Sequence, residues 1–265
     1  MSAPSGWALA LFWRSVLKQQ KWRAIRAMLG PTEGLRCLDI GSDNGVISYL
    51  LRAQGGRWTS ADLDDEAVAA IRSLVGSDVV RINGGRLPFA DGEFDRVVLV
   101  DCLEHVQDDE GFVREIVRIT RPGGAVVFNV PLRKESWLRR FRHRIGQTDE
   151  AHGHVRPGYS PVDLQRLLGS SGDLVCTRTY SRFFSQGIDT LMTWAIRGVK
   201  GTPSGVRGKG DIVTGDDLRR HRRLLLVYTL MYPFLRAVAA CDWLLWFRSG
   251  YMVIAKAQRA AGGTG

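Results

Sequence analysis

Short apolar runs alternate with helix-length segments over the first half of the chain. Strands are predicted near Leu35 to Ile40, Arg57 to Asp62, Val79 to Ile82, Asp95 to Asp101 and Ala125 to Val130, with helical patterns between them. This alternation is typical of a parallel sheet covered by helices on both faces. The motif RPGG at 121–124 predicts a stop before the fifth strand.

A glycine-bearing turn follows the first predicted strand, within the segment CLDIGSDNGVISYLL. Gly41 and Gly45 carry no Cβ, so the backbone there can approach a ligand and take φ values that other residues resist. Asp62 ends the second predicted strand about twenty residues later, where a carboxylate can accept hydrogen bonds from a ribose diol. These two strand ends, side by side, predict a nucleoside cleft.

A third segment carries a family resemblance. INGGRLPFADGEFDRVVLVDCLEHV, residues 82–106, resembles the stretch GDAxxLPFxDxxFDxVxxxxxLEHV of class I S-adenosylmethionine-dependent methyltransferases, especially those of ubiquinone and menaquinone biosynthesis. The resemblance implies an α/β fold with a Rossmann-like seven-stranded sheet, closed by antiparallel strands at Asp173 to Tyr180 and Gly250 to Ala257. It also implies S-adenosylmethionine as cofactor, bound by Asp39, Gly41, Ser42, Gly45, Asp62, Leu63, Asn83, Gly84 and Asp101.

Two positions depart from the family pattern. The usual turn is GxGxG, whereas Asp43 takes the middle position here, and Asp tolerates a left-handed turn. Asn83 stands where the family has an adenine-contacting Asp, and it keeps an acceptor oxygen without the charge. We expect modestly weaker cofactor binding, and a non-catalytic cofactor-binding scaffold stays open as an alternative. The missing middle glycine argues against a dinucleotide dehydrogenase, whose second glycine admits a pyrophosphate.

Residues 183–249 are predicted to form an apolar helical insertion between the last two strands. A glycine-rich loop joins its two helices, and the second helix is expected to kink at its proline. Arg236 and Asp242 interrupt the second apolar run, so a full membrane crossing is not expected. One interpretation makes the insertion a cap over the active site. The other, which Trp243 and Trp246 favour, places it at an anionic membrane surface. A basic run suited to lipid head groups precedes the second helix at Arg219, Arg220, Arg222 and Arg223.

The flanking segments complete the predicted organisation. Residues 1–34 are expected to be an amphipathic helical segment that also favours membrane docking, although Lys18 falls within its apolar stripe. The methyltransferase domain is expected over 35–182 and 250–259, and 260–265 are expected to be a flexible tail. The proposed stripe consists of Trp7, Leu11, Trp22, Ile25 and Leu29.

Composition and charge limit the classes of binding partner that we expect. The formal net charge is +10, and RKESWLRRFRHRIG at 133–146 is the densest basic segment. Such a segment suits anionic lipid or a phosphate on a lipid-linked substrate as well as it suits RNA, and no RNA-binding module is recognisable, so a nucleic-acid partner is not expected. The four cysteines form no CxxC pair and no signal peptide is visible. We therefore expect a cytoplasmic protein, peripheral on the inner face of the membrane; its oligomeric state stays open.

Methyl transfer needs a base only when the acceptor must lose a proton. The candidates for catalytic residues are His105, after the fourth strand, and His154 with Tyr159, in a stretch similar to the acceptor-side loop of the family. A loop-structural role for His154 and a packing or capping role for His105 stay open. No metal is expected. The sequence thus predicts methylation, on oxygen, of a lipophilic or lipid-linked acceptor, with a soluble natural-product methyltransferase carrying an apolar lid as the alternative.

Overall fold

A computed structural model describes residues 6–149, 153–200 and 222–261 and places seven strands of that part of the chain in one mixed sheet. The strands are β1 (Arg36–Ile40), β2 (Arg57–Asp62), β3 (Val79–Arg81), β4 (Phe94–Val100), β5 (Thr120–Pro131), β6 (Gly172–Tyr180) and β7 (Met252–Arg259). Their order is β3-β2-β1-β4-β5-β7-β6, with β7 antiparallel to both of its neighbours. The predicted seven-stranded α/β sheet is confirmed.

Helices cover both faces of the sheet. They are α1 (Gly6–Phe12), α2 (Val16–Leu29), α3 (Val46–Arg52), α4 (Asp65–Val75), α5 (Asp109–Ile119), α6 (Trp137–Arg144), α7 (Pro161–Leu168), α8 (Phe183–Lys200) and α9 (Arg222–Ala240), with 3₁₀ turns at Leu103–His105, Gly169–Ser171 and Cys241–Leu245. Local sequence signals set several helix starts. Asp64 caps α4 by accepting from two backbone N–H groups, and Ser160 and Asp163 form a capping box at α7.

The RPGG segment interrupts a ladder and does not precede it. Phe94 of β4 pairs with Thr120, whereas Arg96 pairs with Ala125, so residues 121–124 bulge out of β5 near its start. Gly123 takes a φ of 71° within this bulge. The prediction of a stop before the strand was therefore wrong in position, because the strand resumes on the far side of the turn.

The N-terminal helices belong to the core of the sheet domain. Trp22, Ile25 and Leu29 of α2 are buried with Val98 of β4 and Val127 of β5. The α2 part of the predicted apolar stripe therefore covers the sheet, which corrects its interpretation as a membrane face; the side chain of Trp7 lies outside the described residues. The physical reason is that a parallel sheet must bury both of its faces, and α2 supplies part of one covering layer.

The insertion packs against the rest of the fold at several points. Helices α8 and α9 contact each other, and α2 bonds to both: Gln19 Nε2 donates to Tyr232 Oη at 2.8 Å, and Gln20 Nε2 donates to Ser185 Oγ at 2.8 Å. The carboxylate of Asp242 is buried and accepts from the backbone N–H groups at the start of α8. Asp242 therefore fixes the second half of the insertion to the first.

The helices of the structure were compared with the length and apolarity that a membrane crossing needs. Within the described ranges, no helix is both long enough and apolar enough to cross a membrane. Helix α9 continues through Pro233 as one element. The predicted glycine-rich loop, the basic run at 219–223 and the last four residues lie outside the part of the chain whose side chains are described.

A charged clamp holds the loop after β3 against α5. Glu115 accepts from Leu87 N at 2.9 Å, and Arg118 donates to Glu115 Oε2 at 2.8 Å. Arg118 also donates to the carbonyl oxygen of Phe89 and to the carboxylate of Asp91. The hydrogen bonds from Arg118 lower the pKa of Glu115 most strongly, against a smaller opposing effect of burial. The clamp thus fixes the segment that follows Asn83 and Gly84.

The clamp predicts a pH-dependent stability. Glu115→Gln should lower the free energy of unfolding by about 1–2 kcal/mol at pH 7. Because folding lowers the pKa of Glu115, its stabilisation is present above the ordinary value of 4.5 and is lost as pH falls below it. Urea unfolding at several pH values should therefore show the difference shrinking in acid. A difference that stays constant with pH, or that also appears in the exposed control Glu135→Gln, would contradict this assignment.

Candidate active site

The turn after β1 takes the conformation that its sequence suggests. Gly41, Asp43 and Gly45 have φ values of 94°, 51° and 77°, so Asp43 does adopt the left-handed region at the middle position. A Cβ on Gly45 would lie 2.8 Å from the Cα of Ile71, which is backbone of α4. Gly45 is therefore required by the close approach of α3 to α4, in addition to any role toward a ligand.

Asp39 stabilises this turn through the hydrogen bonds of its buried carboxylate. Its carboxylate is fully buried and accepts from the hydroxyls of Ser42, Ser48 and Ser60 at 2.8, 2.5 and 2.8 Å. Arg52 Nη1 lies 3.7 Å from Asp39 Oδ1. Burial raises the pKa of Asp39, and the hydroxyls and Arg52 oppose that rise. The side chains of Asp39 and Ser42 thus bond to each other and fix the backbone of the turn.

The ends of β2 and β3 complete one half of the site. Asp62 is fully buried, and its Oδ1 accepts from Leu63 N at 2.7 Å and Asp64 N at 3.3 Å. A Cβ on Gly84 would lie 3.6 Å from Leu63 Cδ2. Asn83 is exposed, and its Oδ1 accepts from Gly85 N at 3.1 Å. Because β1, β2 and β3 are adjacent, the predicted cofactor residues of the three strands lie along one edge of the sheet.

A polar network that the sequence analysis did not predict lies at the end of β4. Asp101 has a φ of 44°, accepts from Asn129 Nδ2 at 2.7 Å, and forms a short ion pair with Lys21 of α2. Tyr180 Oη donates to Asn129 Oδ1 at 2.6 Å. Burial, and then the charge of Asp101, raises the pKa of Tyr180, which keeps its hydroxyl protonated as a donor. The network joins α2, β4, β5 and β6.

A pocket of about 330 Å³ opens beside Asp101. His154 also lines it, so the structure brings together the residue at the end of β4 and one predicted base. Helix α8 contributes Gln186 and Asp189 to the same wall. The other lining residues are Ser15, Leu17, Lys18, Lys21, Pro131, Leu132, Lys134, Arg139, Arg142, His143, Gln147, Asp149, Pro157, Tyr180, Ser181, Tyr251 and Met252.

The two histidines have different surroundings. His105 Nδ1 donates to the carbonyl oxygen of Gly153 at 2.9 Å, and its ring packs edge-on against the ring of His154 with centroids 4.9 Å apart. His154 Nδ1 lies 4.0 Å from Asp149 Oδ1. His105 therefore positions the loop that carries His154, which agrees with the packing role weighed from the sequence, and it is absent from the pocket wall.

Tyr159 is not placed as predicted. Its side chain is buried, and its hydroxyl lies 3.1 Å from both the carbonyl oxygen of Leu103 and the carboxylate of Asp109. Burial raises the pKa of Tyr159 strongly, and the Asp109 charge adds to the rise. The interpretation that Tyr159 faces the acceptor is corrected, because its hydroxyl is used to hold the loop against the 3₁₀ turn after β4.

Glu104, His105 and His154 form a cluster of possible ligands. Their donor atoms all lie within 4.8 Å of one another. One carboxylate and two imidazoles are a common set of zinc ligands, and the same groups also suit proton transfer. The expectation that no metal binds here stays a prediction.

Sequence comparison connects this geometry with known proteins. Residues 38–128 match a family model described as a methyltransferase domain. The chain is 32% identical over 117 residues to a demethylmenaquinone methyltransferase of Tropheryma whipplei (strain Twist), covering 43% of this chain and 49% of that protein. It is 51% identical over 98 residues to norajmaline N-methyltransferase of Rauvolfia serpentina, covering 34% of each. The chain therefore spans about half the length, or less, of these relatives.

Structure comparison gives the same fold. Phosphoethanolamine N-methyltransferase 2 of Haemonchus contortus, solved in complex with S-adenosylmethionine, superposes with a TM-score of 0.53 at 15% identity. The match covers 91% of this chain and 52% of that one. At this identity the likeness establishes the fold alone. The methyltransferase domain match and the methyltransferase relatives support S-adenosylmethionine as the cofactor.

The residues present fit that cofactor. The positive φ of Gly41, Asp43 and Gly45 makes a tight turn at the end of β1, and the cofactor has no phosphate that the turn would need to cradle. Asp62 offers a carboxylate at the end of β2 for ribose hydroxyls. Gly84 has no side chain, so the surface of Leu63 next to it is not covered by a Cβ. Sequence reasoning did not identify four polar residues of the pocket and network beside Asp101, which are Lys21, Asn129, Tyr180 and Lys134. The one sequence signal for a polar site on α2 was the charged Lys18 within an apolar stripe.

Proposed function

We propose that this protein, whose residues 38–128 belong to the class I S-adenosylmethionine-dependent methyltransferases of the ubiquinone and menaquinone type, methylates an oxygen atom of a lipophilic or lipid-linked acceptor at the inner face of a membrane. The observation that carries the proposal is the pocket of about 330 Å³ beside Asp101, at the same edge of the sheet as the cofactor residues. The relative named for demethylmenaquinone, a lipophilic quinone, supports an acceptor of this class.

The half of the site that would bind the cofactor needs few reactive groups from the protein. When bound, S-adenosylmethionine supplies a methyl group already activated by a positively charged sulfur. The turn of Gly41 to Gly45 and Asp62 would hold the nucleoside, and Leu63 and Gly84 would contribute to the same half of the site. Asp101 is held by Lys21 and Asn129 between this half of the site and the pocket. The protein therefore acts mainly by orienting the reactants.

The acceptor side supplies the proton chemistry. An acceptor hydroxyl in the pocket can give its proton to a ring nitrogen of His154 as the oxygen becomes the nucleophile. Asp149, 4.0 Å from His154 Nδ1, stabilises the resulting imidazolium. His105 holds the loop through Gly153 and packs against His154, which fixes the ring. Leu17, Leu132 and Met252 provide apolar contact for the acceptor.

An exposed aromatic patch supports membrane docking. Trp243, Trp246 and Phe247 are 76%, 72% and 64% exposed. Arg182 bonds to the carbonyl oxygens of Trp246 and Arg248, so basic and aromatic groups lie together. Aromatic rings of this kind favour the membrane interface, and arginines favour anionic head groups. The start of α8 is bonded to Asp242 and, through Arg182, to Trp246, and α8 also lines the pocket, so the insertion is suited to deliver a membrane-bound acceptor.

Transfer of a labelled methyl group tests the reaction. Purified protein would be incubated with methyl-labelled S-adenosylmethionine and an extract of its source cells, and the products partitioned between organic and aqueous phases. We expect label in the organic phase, and His154→Gln should reduce it by about 100-fold or more. Label confined to the aqueous phase would contradict a lipophilic acceptor. Absence of transfer with a lipid-replete extract would contradict the enzymatic function itself.

Vesicle flotation tests the membrane part of the proposal. The protein should float with vesicles containing phosphatidylglycerol and not with purely phosphatidylcholine vesicles, and replacing Trp243 and Trp246 by Ser should release it. Trp13→Ser, which changes a tryptophan that is 56% exposed outside the insertion, is the matched control and should leave flotation unchanged. Flotation that survives the double replacement would rule out the aromatic patch as the docking surface.

A soluble enzyme with an apolar lid is the second candidate. The 51% identity to a relative named for N-methylation of norajmaline, together with the pocket wall supplied by α8, favours it. Such an enzyme would stay in solution with either vesicle composition. Flotation therefore separates the two candidates, whereas the labelling experiment separates both from a non-catalytic scaffold.

A further inference from the structure

The pocket beside Asp101 carries more positive than negative charge. Five of its lining side chains are Lys or Arg, and three are Asp. Ion pairs within the pocket wall account for three of the cations. These pairs are Lys21 with Asp101, Arg139 with Asp149, and Arg142 with Asp189, the last at 3.7 Å.

Lys18 and Lys134 are the remaining two cations. Lys18 lies one helical turn before Lys21 on α2, and Lys134 follows β5. The Nζ of Lys134 donates to the carbonyl oxygen of Ser249 at 2.7 Å and lies 5.0 Å from the centre of the Tyr251 ring. Among the side chains that the structure describes, no carboxylate lies within 4.0 Å of either ammonium group.

The charge surroundings of both lysines are unfavourable to their own protonation. Burial lowers the pKa of Lys18, and the positive charge of Lys21 lowers it further, against a smaller effect of Asp43. Burial also lowers the pKa of Lys134, with further contributions from Arg248 and Arg182. An anion placed in the pocket would offset this repulsion and restore an ion pair to each ammonium group.

Apolar side chains line the same pocket. Leu17, Leu132 and Met252 are next to the lysines in the wall, together with the ring of Tyr251. A purely polar anion would leave these surfaces in contact with water, and a purely apolar molecule would desolvate two ammonium groups without compensation. The wall therefore matches an amphiphile, with an anionic group at one part and hydrocarbon at another.

We propose that the acceptor is such an amphiphile, carrying a phosphate or carboxylate that Lys18 and Lys134 bind while its apolar part lies against Leu17, Leu132 and Met252. This inference rests on the proposed function in assigning the pocket to the acceptor, and it adds the acceptor's charge. The lysines act by binding and orientation. A phosphate and a carboxylate amphiphile both place an oxyanion next to hydrocarbon. Titration with a phosphate probe and with a carboxylate probe distinguishes the two.

Binding of simple amphiphiles to the full chain tests the inference. Calorimetric titrations would use n-octyl phosphate, octanoate and octanol, each below its micelle concentration. We expect octyl phosphate or octanoate to bind at least about tenfold more tightly than octanol, since hydrogen bonds to charged groups contribute strongly. Lys18→Gln and Lys134→Gln should each weaken binding of the preferred anion by about tenfold or more and leave octanol unchanged. The stronger anion identifies the acceptor group as phosphate or carboxylate.

Controls separate the pocket from the general positive charge of the surface. Arg140→Gln removes an exposed cation of α6 that is not among the lining residues, and it should change affinity by less than about twofold. Lys18→Arg keeps the charge and should retain binding, which guards against a folding defect in Lys18→Gln. Equal binding of octanol and both anions would overturn the inference, as would lysine variants that bind no more weakly than Arg140→Gln.

Amphiphile binding and methyl transfer test different claims, so either can fail while the other succeeds. Lysine-dependent binding of the anion without any methyl transfer would leave this site standing and overturn the enzymatic function. Methyl transfer into the organic phase by a protein whose amphiphile binding ignores Lys18 and Lys134 would overturn the anion site alone.

Discussion

The ion pair between Lys21 and Asp101 is the contact on which the arrangement of the site depends. Burial by itself would lower the pKa of Lys21, but the adjacent Asp101 carboxylate outweighs that effect and raises it. Taking two charges largely out of water is costly unless each is well bonded, and Asn129 supplies the further hydrogen bond to Asp101. The pair therefore connects an N-terminal helix to the end of β4, and it lies in the wall of the pocket beside Asp101. Without it, α2 would still cover the sheet through Trp22 and Ile25, but the pocket wall would lose this ion pair.

The insertion between β6 and β7 extends that wall outward. Its first helix contributes Gln186 and Asp189 to the pocket, while Asp242 ties the far end of the insertion to the start of the same helix. The two interpretations of this segment, as a cap and as a membrane element, are thus physically compatible. A segment that lines a pocket through Gln186 and Asp189 and also exposes Trp243 and Trp246 is suited to both roles.

Much of the sheet could be predicted from the sequence because its signals are local. Each strand is a short apolar run between turn residues, and the predicted β2 agrees with the observed Arg57–Asp62. The turn of Gly41 to Gly45 and the buried carboxylate of Asp62 can likewise be recognised from a few neighbouring residues. The pocket beside Asp101 and its polar network could not be predicted in this way. Lys21 meets Asp101 across 80 residues of sequence, and Tyr180 meets Asn129 across 51. Tyr159 was misplaced for the same reason, since its partners Leu103 and Asp109 precede it by 56 and 50 residues.

Calorimetric titration with S-adenosylmethionine tests the central claim most directly, because the turn with Asp43 and the exposed Asn83 both depart from the usual cofactor pattern. The account predicts binding by the unaltered chain, and a loss of about 5- to 150-fold in affinity on Asp62→Ala, corresponding to one charge-assisted hydrogen-bonding group. Asp65→Ala removes an exposed carboxylate of the neighbouring helix and should leave the affinity unchanged. Absence of binding by the unaltered chain, or equal affinity of the Asp62→Ala and Asp65→Ala variants, would contradict the placement of the cofactor at the ends of β1 and β2.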